Sequence, residues 1–357
     1  MRPLKALINI ENAKHNLNYV RSLAPSSKIM ATLKANAYGH GLTLMAGAFD
    51  DADAFSVLTI EDAIEIREAG FDKRILLLEG AFDEEDLKIA VAYHFDLVVH
   101  NDYQLALLRQ LPHDKRIDIH LKVNTGMNRL GFSVKSISKV YNQLKNDDRI
   151  NEIVFMSHFA NADKTNGTDQ QYQEIEKLMN DYNEPFSLAN SAALISDNKT
   201  HADWIRPGIM LYGASPFDFS QKIPNLKPVM TLRSEVISIQ EIKKGESVGY
   251  GQEFVANKDM RIATVACGYA DGYPRHAPTG TPVLIDGVKT RTVGRVSMDM
   301  LAVDITDLGN VNYGSMVELW GEQLRVDEVA HNAKTVGYEL LCAISSASRV
   351  PIDINYG

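Results

Sequence analysis

From about residue 8 to residue 215, short apolar runs rich in β-branched residues alternate with longer stretches of helical periodicity. That alternation builds a parallel sheet with helices packed on it, and it restricts the chain to very few architectures. Strands are expected at 28–34, 53–58, 74–79, 96–100, 117–123, 152–158, 185–189 and 203–206, separated by seven helical stretches. Eight such units fit a closed (β/α)₈ barrel of the TIM type, although an open doubly wound sheet reads the same way in a single sequence. The fifth strand adds a clue. Ile117, Ile119, Leu121 and Val123 fall on one face, while Asp118, His120, Lys122 and Asn124 fall on the other. If the apolar face packs on helices, the polar stripe points inward and marks a site where it ends; the competing reading is an exposed edge strand.

Beyond about residue 225 the helical patterns thin out, and β-rich runs such as VISIQEI, RIATVACGY, TPVLIDG and MVELWG are separated by glycine-containing turns. The chain therefore divides into a barrel over 8–225 and a C-terminal β domain over 226–357, with the strand-like residues 1–7 joining the latter. The fold class is α/β plus β. A length of 357 residues is enough for two cores. The formal net charge of -9, with no Lys/Arg run, excludes a nucleic-acid surface. No signal-length or bilayer-length apolar segment is present, so a cytoplasmic protein is expected. Cys267 and Cys342 read as reduced packing residues, and no Cys/His spacing suggests a metal site.

Lys34 ends the first expected strand, on the face shared by Met30 and Thr32, and is followed by Ala35, Asn36, Ala37, Tyr38, Gly39, His40, Gly41. Alone it reads better as a solvated loop lysine, and its neighbours change that. The loops after the seventh and eighth strands, where barrels commonly hold phosphate, contain Asn190, Ser191, Ala192, Ala193 and Arg206, Pro207, Gly208, Ile209. Small residues there let backbone amides approach an anion, and Ser191 sits where a helix begins. Asn190 and Ser191 also fit an ordinary N-cap. A lysine on the first strand facing a phosphate cup is the layout a phosphate-bearing carbonyl cofactor needs.

In order, the strings LKANAYGHG, VNTGMNRLGF, SHFANAD, NSAA, WIRPGIMLYG, SVGYG, CGYADGYPR, VGRVSMD and SRVP make the chain resemble the bacterial alanine racemase family over essentially its whole length. The resemblance implies a pyridoxal-phosphate enzyme that interconverts L- and D-alanine by a two-base mechanism and supplies D-alanine for peptidoglycan. Lys34 would form the Schiff base and serve as one base; Tyr250 would be the other, contributed by the partner subunit of a homodimer with shared active sites. Tyr38, Ser191, Gly208 and Ile209 would hold the phosphate, with Asn190 and His158 beside the cofactor. Arg206 would face the pyridine nitrogen. A guanidinium has donors only, so that nitrogen would stay unprotonated, which favours return of the proton to the α-carbon over transamination. A phenol titrates near 10, so the Tyr250 phenolate would need help from nearby cations or donors, and Arg129 and His158 match the residues that would supply it. Arg129 and the backbone of Met298 would meet the substrate carboxylate, and the Met298 side chain would limit the pocket. Tyr269, Arg275 and Arg295 would line the entrance, with Asp163 near them. Lys122 stands where some members carry a carbamylated lysine.

The chain departs from many members at Ser348, where they have tyrosine. A racemase of broader specificity and a decarboxylase of similar plan are the nearest alternatives. A carboxylate at the ring nitrogen would mark the decarboxylase, and Arg206 argues against it. A non-catalytic cofactor carrier would lack the domain bearing Tyr250 and Met298.

Overall fold

The computed structural model describes residues 2–219, 221, 225–346 and 349–355, so Ser348 lies outside the described residues. Eight parallel strands form a closed ring: β1 (Lys28–Thr32), β2 (Ala54–Val57), β3 (Arg74–Leu77), β4 (Asp96–Val99), β5 (Ile117–Asn124), β6 (Ile150–Met156), β7 (Phe186–Ser187) and β8 (Trp204–Ile205). Each pairs with the next, and β8 returns to β1 through Trp204 beside Lys28. Closure rules out the open sheet, and β5, hydrogen-bonded on both sides, is not an edge strand.

The ring closes over Met30, Ala54, Leu76, Val98, Val154, Met156 and Trp204, which pack together as a buried apolar layer. At the N-terminal end of the strands, Arg74 ties the wall together through Asp96 at 2.5 Å, Glu152 at 2.6 Å and Asp118 at 3.2 Å. Several helices that follow strands begin on side-chain caps: Thr59 accepts from the Asp62 amide, Asp83 from Asp86 and Asn101 from Gln104. Such caps satisfy amides that have no partner within the helix. They also fix where each strand-to-helix loop ends. His120 and Lys122 are buried inside the ring.

By contacts between residues the chain forms two compact units, one of 17–37 with 42–211, the other of 1–16, 38–41 and 212–357. The second unit is a sheet organised on the long strand β9 (Met230–Ile242). With β10 (Met260–Val265), β11 (Pro282–Ile285), β12 (Val288–Val293), β13 (Leu301–Asp304) and β14 (Met316–Trp320), β9 closes a six-strand ring in the order β9, β10, β13, β12, β11, β14. The strand Lys5–Asn9 pairs antiparallel with β9 and parallel with Ile352–Asn355. A small hairpin, Ser247–Val248 against Phe254–Val255, projects the turn that carries Tyr250.

Candidate active site

Parallel strands in a closed ring deliver their following loops to one mouth, and there the barrel gathers Lys34, Lys122, Arg129, His158, Asn190, Ser191, Arg206 and Gly208. The cluster is cationic. Burial pulls the Lys122 amine well below its ordinary value, and Arg206, Arg129 and Lys34 push it the same way. His158 is held well below 6.5 by burial and by Lys122, Arg206, Arg129 and Lys34. The cluster therefore leaves positive charge unbalanced where a negative ligand can enter. Neither Lys122 nor Arg129 makes a side-chain hydrogen bond or ion pair among the described residues.

Arg206 is 5% exposed. Its Nη1 donates to Ser187 Oγ at 2.6 Å, and its Nη2 donates to the carbonyls of Ser157 at 2.6 Å and Leu188 at 3.2 Å. Burial lowers its pKa to about 9, so the group stays charged at neutral pH. These bonds fix the plane of the guanidinium and leave Nε–H without a partner among the described residues. A donor held in this way fits a neutral ring nitrogen that accepts.

Lys34 is placed differently from the sequence expectation. Strand β1 ends at Thr32, where the amides of Thr32 and Leu33 donate to Pro207 O and Ser56 O on its two neighbours in the ring. Lys34 then opens a helical segment, Lys34–Gly39, that is left-handed: φ is 56° at Ala35, 51° at Asn36, 51° at Ala37 and 52° at Tyr38. Four consecutive non-glycine residues in that conformation are unfavourable, at roughly 1–2 kcal/mol each, and local bonds must hold them. Ala37 donates to Leu33 O at 2.8 Å, and Asn36 Oδ1 accepts from the Leu42 amide at 2.7 Å. Tyr38 is buried with its ring 4.7 Å from that of Tyr212, and burial raises its pKa.

Asn190 caps the helix Ser191–Ser196 through the Ala193 amide, and its Nδ2 also reaches Phe159 O at 3.2 Å and His158 Nε2 at 3.5 Å. Capping and site placement thus coexist in one side chain. Ser191 Oγ accepts from Gly208 N at 2.9 Å and Met210 N at 3.4 Å, and its own hydroxyl hydrogen finds no acceptor among the described residues. Ile209 opens a 3₁₀ turn, so its amide has no partner within that turn. A serine hydroxyl and a free amide around small residues suit phosphate oxygens. Together with the Lys34 amine, the Arg129 guanidinium and the Arg206 donor, this set fits a phosphate-bearing aldehyde with a ring nitrogen.

The other unit brings the remaining residues onto one surface. Tyr250 is 70% exposed, between Gly249 at φ 77° and Gly251 at φ 73°. The Arg295 guanidinium lies against Gly251 and pairs with Glu253, on which Arg275 also acts. Arg275 stacks over Tyr269 at 5.9 Å. The Ala270 amide donates to Met298 O at 2.9 Å, and a Cβ on Gly268 would come within 2.3 Å of that oxygen, so only glycine fits there. Met298 is itself 52% exposed. Asp163, in the barrel, lies beside Lys164 at 3.8 Å. No His/Cys/Asp/Glu group that could hold a metal occurs among the described residues, and no helix is long and apolar enough to cross a membrane.

Sequence reasoning gave no role to Glu253, Asn36, Ser157, Thr125 or Gln171. Ser157 directly precedes His158, and Asn36 and Glu253 lie within three residues of Lys34 and Tyr250, so adjacency was an available signal for these three. Gln171 lies far along the chain from every one of its bonding partners except the 158–160 loop, and nothing in the pattern marks it.

Two family descriptions match: "Alanine racemase, N-terminal domain" over residues 8–216 and "Alanine racemase, C-terminal domain" over 229–352. Among curated relatives, an alanine racemase of Nitrosomonas eutropha is 49% identical, covering 98% of each chain. A catabolic alanine racemase of Klebsiella aerogenes is 48% identical, covering 98% of this chain and 99% of its own. The crystal structure of the biosynthetic alanine racemase from Pseudomonas aeruginosa superposes with a TM-score of 0.96 at 42% identity, covering 100% of both chains.

Proposed function

The chain belongs to the alanine racemase family, and from that premise we propose that it interconverts L- and D-alanine with pyridoxal 5′-phosphate as cofactor. The observation that carries this reading is Arg206: a buried, charged guanidinium locked by Ser187, Ser157 and Leu188, with Nε–H unspent. When bound, pyridoxal phosphate supplies an aldehyde for an amine and an electron-withdrawing ring that acidifies the α-carbon. Lys34 would hold the aldehyde carbon, Tyr38, Ser191, Gly208 and Ile209 would hold the phosphate, and Asn190 and His158 would flank the site. Arg206 would donate to the ring nitrogen without giving up its proton, which would limit the electron sink and favour reprotonation at carbon.

Lys34 Nζ moves the α-proton on one face and Tyr250 Oη on the other. Arg129 binds the substrate carboxylate, the Met298 backbone assists, and the Met298 side chain bounds the methyl pocket. Tyr269, Arg275 and Arg295 line the way in. The exposure of Tyr250 and Met298 supports a homodimer in which each β domain serves the partner's barrel. Lys122, with a depressed pKa among cations, is suited to carry a carbamate that offsets them. D-alanine for peptidoglycan is the product's use, and a cytoplasmic location suits that supply.

Borohydride reduction of the holoenzyme should fix the cofactor on Lys34, read by peptide mass. Solvent deuterium should enter the α-carbon from both enantiomers in the wild type. Tyr250→Phe should keep the colour of the bound cofactor yet lose racemisation starting from L-alanine. Absence of the Lys34 adduct removes the proposed chemistry, and a fully active Tyr250→Phe removes the second base.

A further inference from the structure

We propose that Gln171 is a positioning residue for substrate recognition, whose buried amide locks the loop bearing Arg129 to the loop bearing His158. The inference rests on the reading of Arg129 as the partner of the substrate carboxylate and names what holds that loop. Gln171 lies near the start of the helix Asp169–Asp181 and is 6% exposed. Its Oε1 accepts from the Ala160 amide at 2.7 Å, while its Nε2 donates to His158 O at 2.9 Å and to Thr125 Oγ1 at 3.0 Å. An amide donor on one side and a carbonyl on the other permit a single orientation of the side chain, with both Nε2 hydrogens committed.

The network has a fixed direction. Ser157 Oγ spends its one hydrogen on Val123 O at 3.1 Å, so the 2.8 Å contact between Thr125 Oγ1 and Ser157 Oγ must be donated by Thr125. Thr125 can then only accept from Gln171. The same Ser157 offers its carbonyl to Arg206, so one buried chain of bonds runs from Gln171 through Thr125 and Ser157 to the anchored guanidinium. Such buried networks rigidify what they join.

Beyond Thr125 the loop is internally stiff. Asn124 Oδ1 accepts from the amides of Gly126 at 3.1 Å and Asn128 at 3.0 Å, and Asn124 Nδ2 donates to Asn128 Oδ1 at 3.0 Å. Arg129 follows with an exposed side chain and no side-chain bond of its own among the described residues, so the position of its backbone sets the range within which the guanidinium can reach a ligand. Arg206, by contrast, is fixed by three bonds to the wall. Loosening Gln171 therefore affects the group that meets substrate more than the group that meets cofactor.

The test is steady-state kinetics of holoenzyme variants with L- and D-alanine, together with titration of each apo-protein with pyridoxal phosphate. Gln171→Met, similar in volume and without polar atoms that can replace the amide, should raise KM for both enantiomers about tenfold, with kcat within about threefold and cofactor affinity within about twofold. Gln171→Glu keeps the acceptor for Ala160 but sets oxygens against His158 O and Thr125 Oγ1, and should be at least as severe. Thr125→Val should shift KM the same way, and the double variant should fall short of the product of the two effects. A folded Gln171→Met with KM within about twofold of wild type, or a loss confined to kcat, overturns the proposal. If Gln171→Met does not fold, Thr125→Val decides the matter by the same criteria. Arg129→Lys separates the layers: unchanged KM there removes the underlying reading, whereas raised KM there with none in the Gln171 variants removes only this inference.

Discussion

Lys122 shows how a single side chain can be costly to the fold and still be useful. Its amine is buried, and its pKa is depressed first by desolvation and then by Arg206, Arg129 and Lys34, with no acid offsetting them. Between the folded value and the ordinary 10.5, the unfolded chain holds a proton that the folded chain does not. Stability should therefore rise with pH across that window and fall as pH drops, by up to about 1.4 kcal/mol per pH unit for one proton. Urea melts of carbon-dioxide-free apo-protein from about pH 8 to about pH 10 check this, and Lys122→Met should flatten the slope. A depressed pKa also exposes the nucleophilic free amine over a wider pH range. Its nitrogen pair can bond to the carbon of CO₂ while a proton leaves to solvent, giving a carbamate whose negative charge suits the surrounding cations. ¹³C-labelled bicarbonate should yield a carbamate resonance that disappears in Lys122→Met; a spectrum without it leaves a bound anion as the balancing charge.

At the scale of an element, the left-handed segment after β1 is the most unusual piece of backbone. It winds the chain left-handed between Lys34 and Tyr38, at an expense that straight strand or right-handed helix would not incur. Ala35 is exposed in it, so replacing it removes little packing. Ala35→Gly relieves the Cβ clash of a positive φ, offset in part by the entropy glycine loses on folding. The expected gain is up to about 1 kcal/mol in thermal or urea unfolding. A clear loss of stability would show that the turn is not left-handed at this position. Asn36 contributes through its side-chain oxygen, which accepts from the first amide of the helix Leu42–Ala48 and so closes the turn on a rigid element.

At the scale of the whole molecule, the candidate bases lie in different units of the chain, Lys34 in the barrel unit and Tyr250 in the other. If each active site combines one from each subunit, the Lys34→Ala and Tyr250→Phe homodimers should both be inactive, but mixing them after mild dissociation should restore activity. A hybrid dimer then holds one site with both defects and one with none. Random exchange makes about half of the dimers hybrid, which restores about a quarter of the wild-type sites. No recovery after verified subunit exchange would mean that both bases come from the same chain.

Much of this protein is legible in its residues alone. The alternation of apolar runs and helical stretches sets the βα order because a strand's period of two and a helix's period of 3.6 are written directly in the side chains. The polar stripe Asp118, His120, Lys122 names the inward face of β5 for the same reason, and ordered motifs identify Lys34, Arg206 and Tyr250 as candidates. Ring closure is not legible, since β8 meeting β1 joins residues far apart in the chain and leaves no local trace. Pattern extends the first strand through Lys34 because left-handed φ at alanine and asparagine has no sequence signal as strong as glycine's. Gln171 is invisible because a glutamine's value depends on which donors and acceptors lie around it. That arrangement exists only after distant segments have packed, and folding alone decides it.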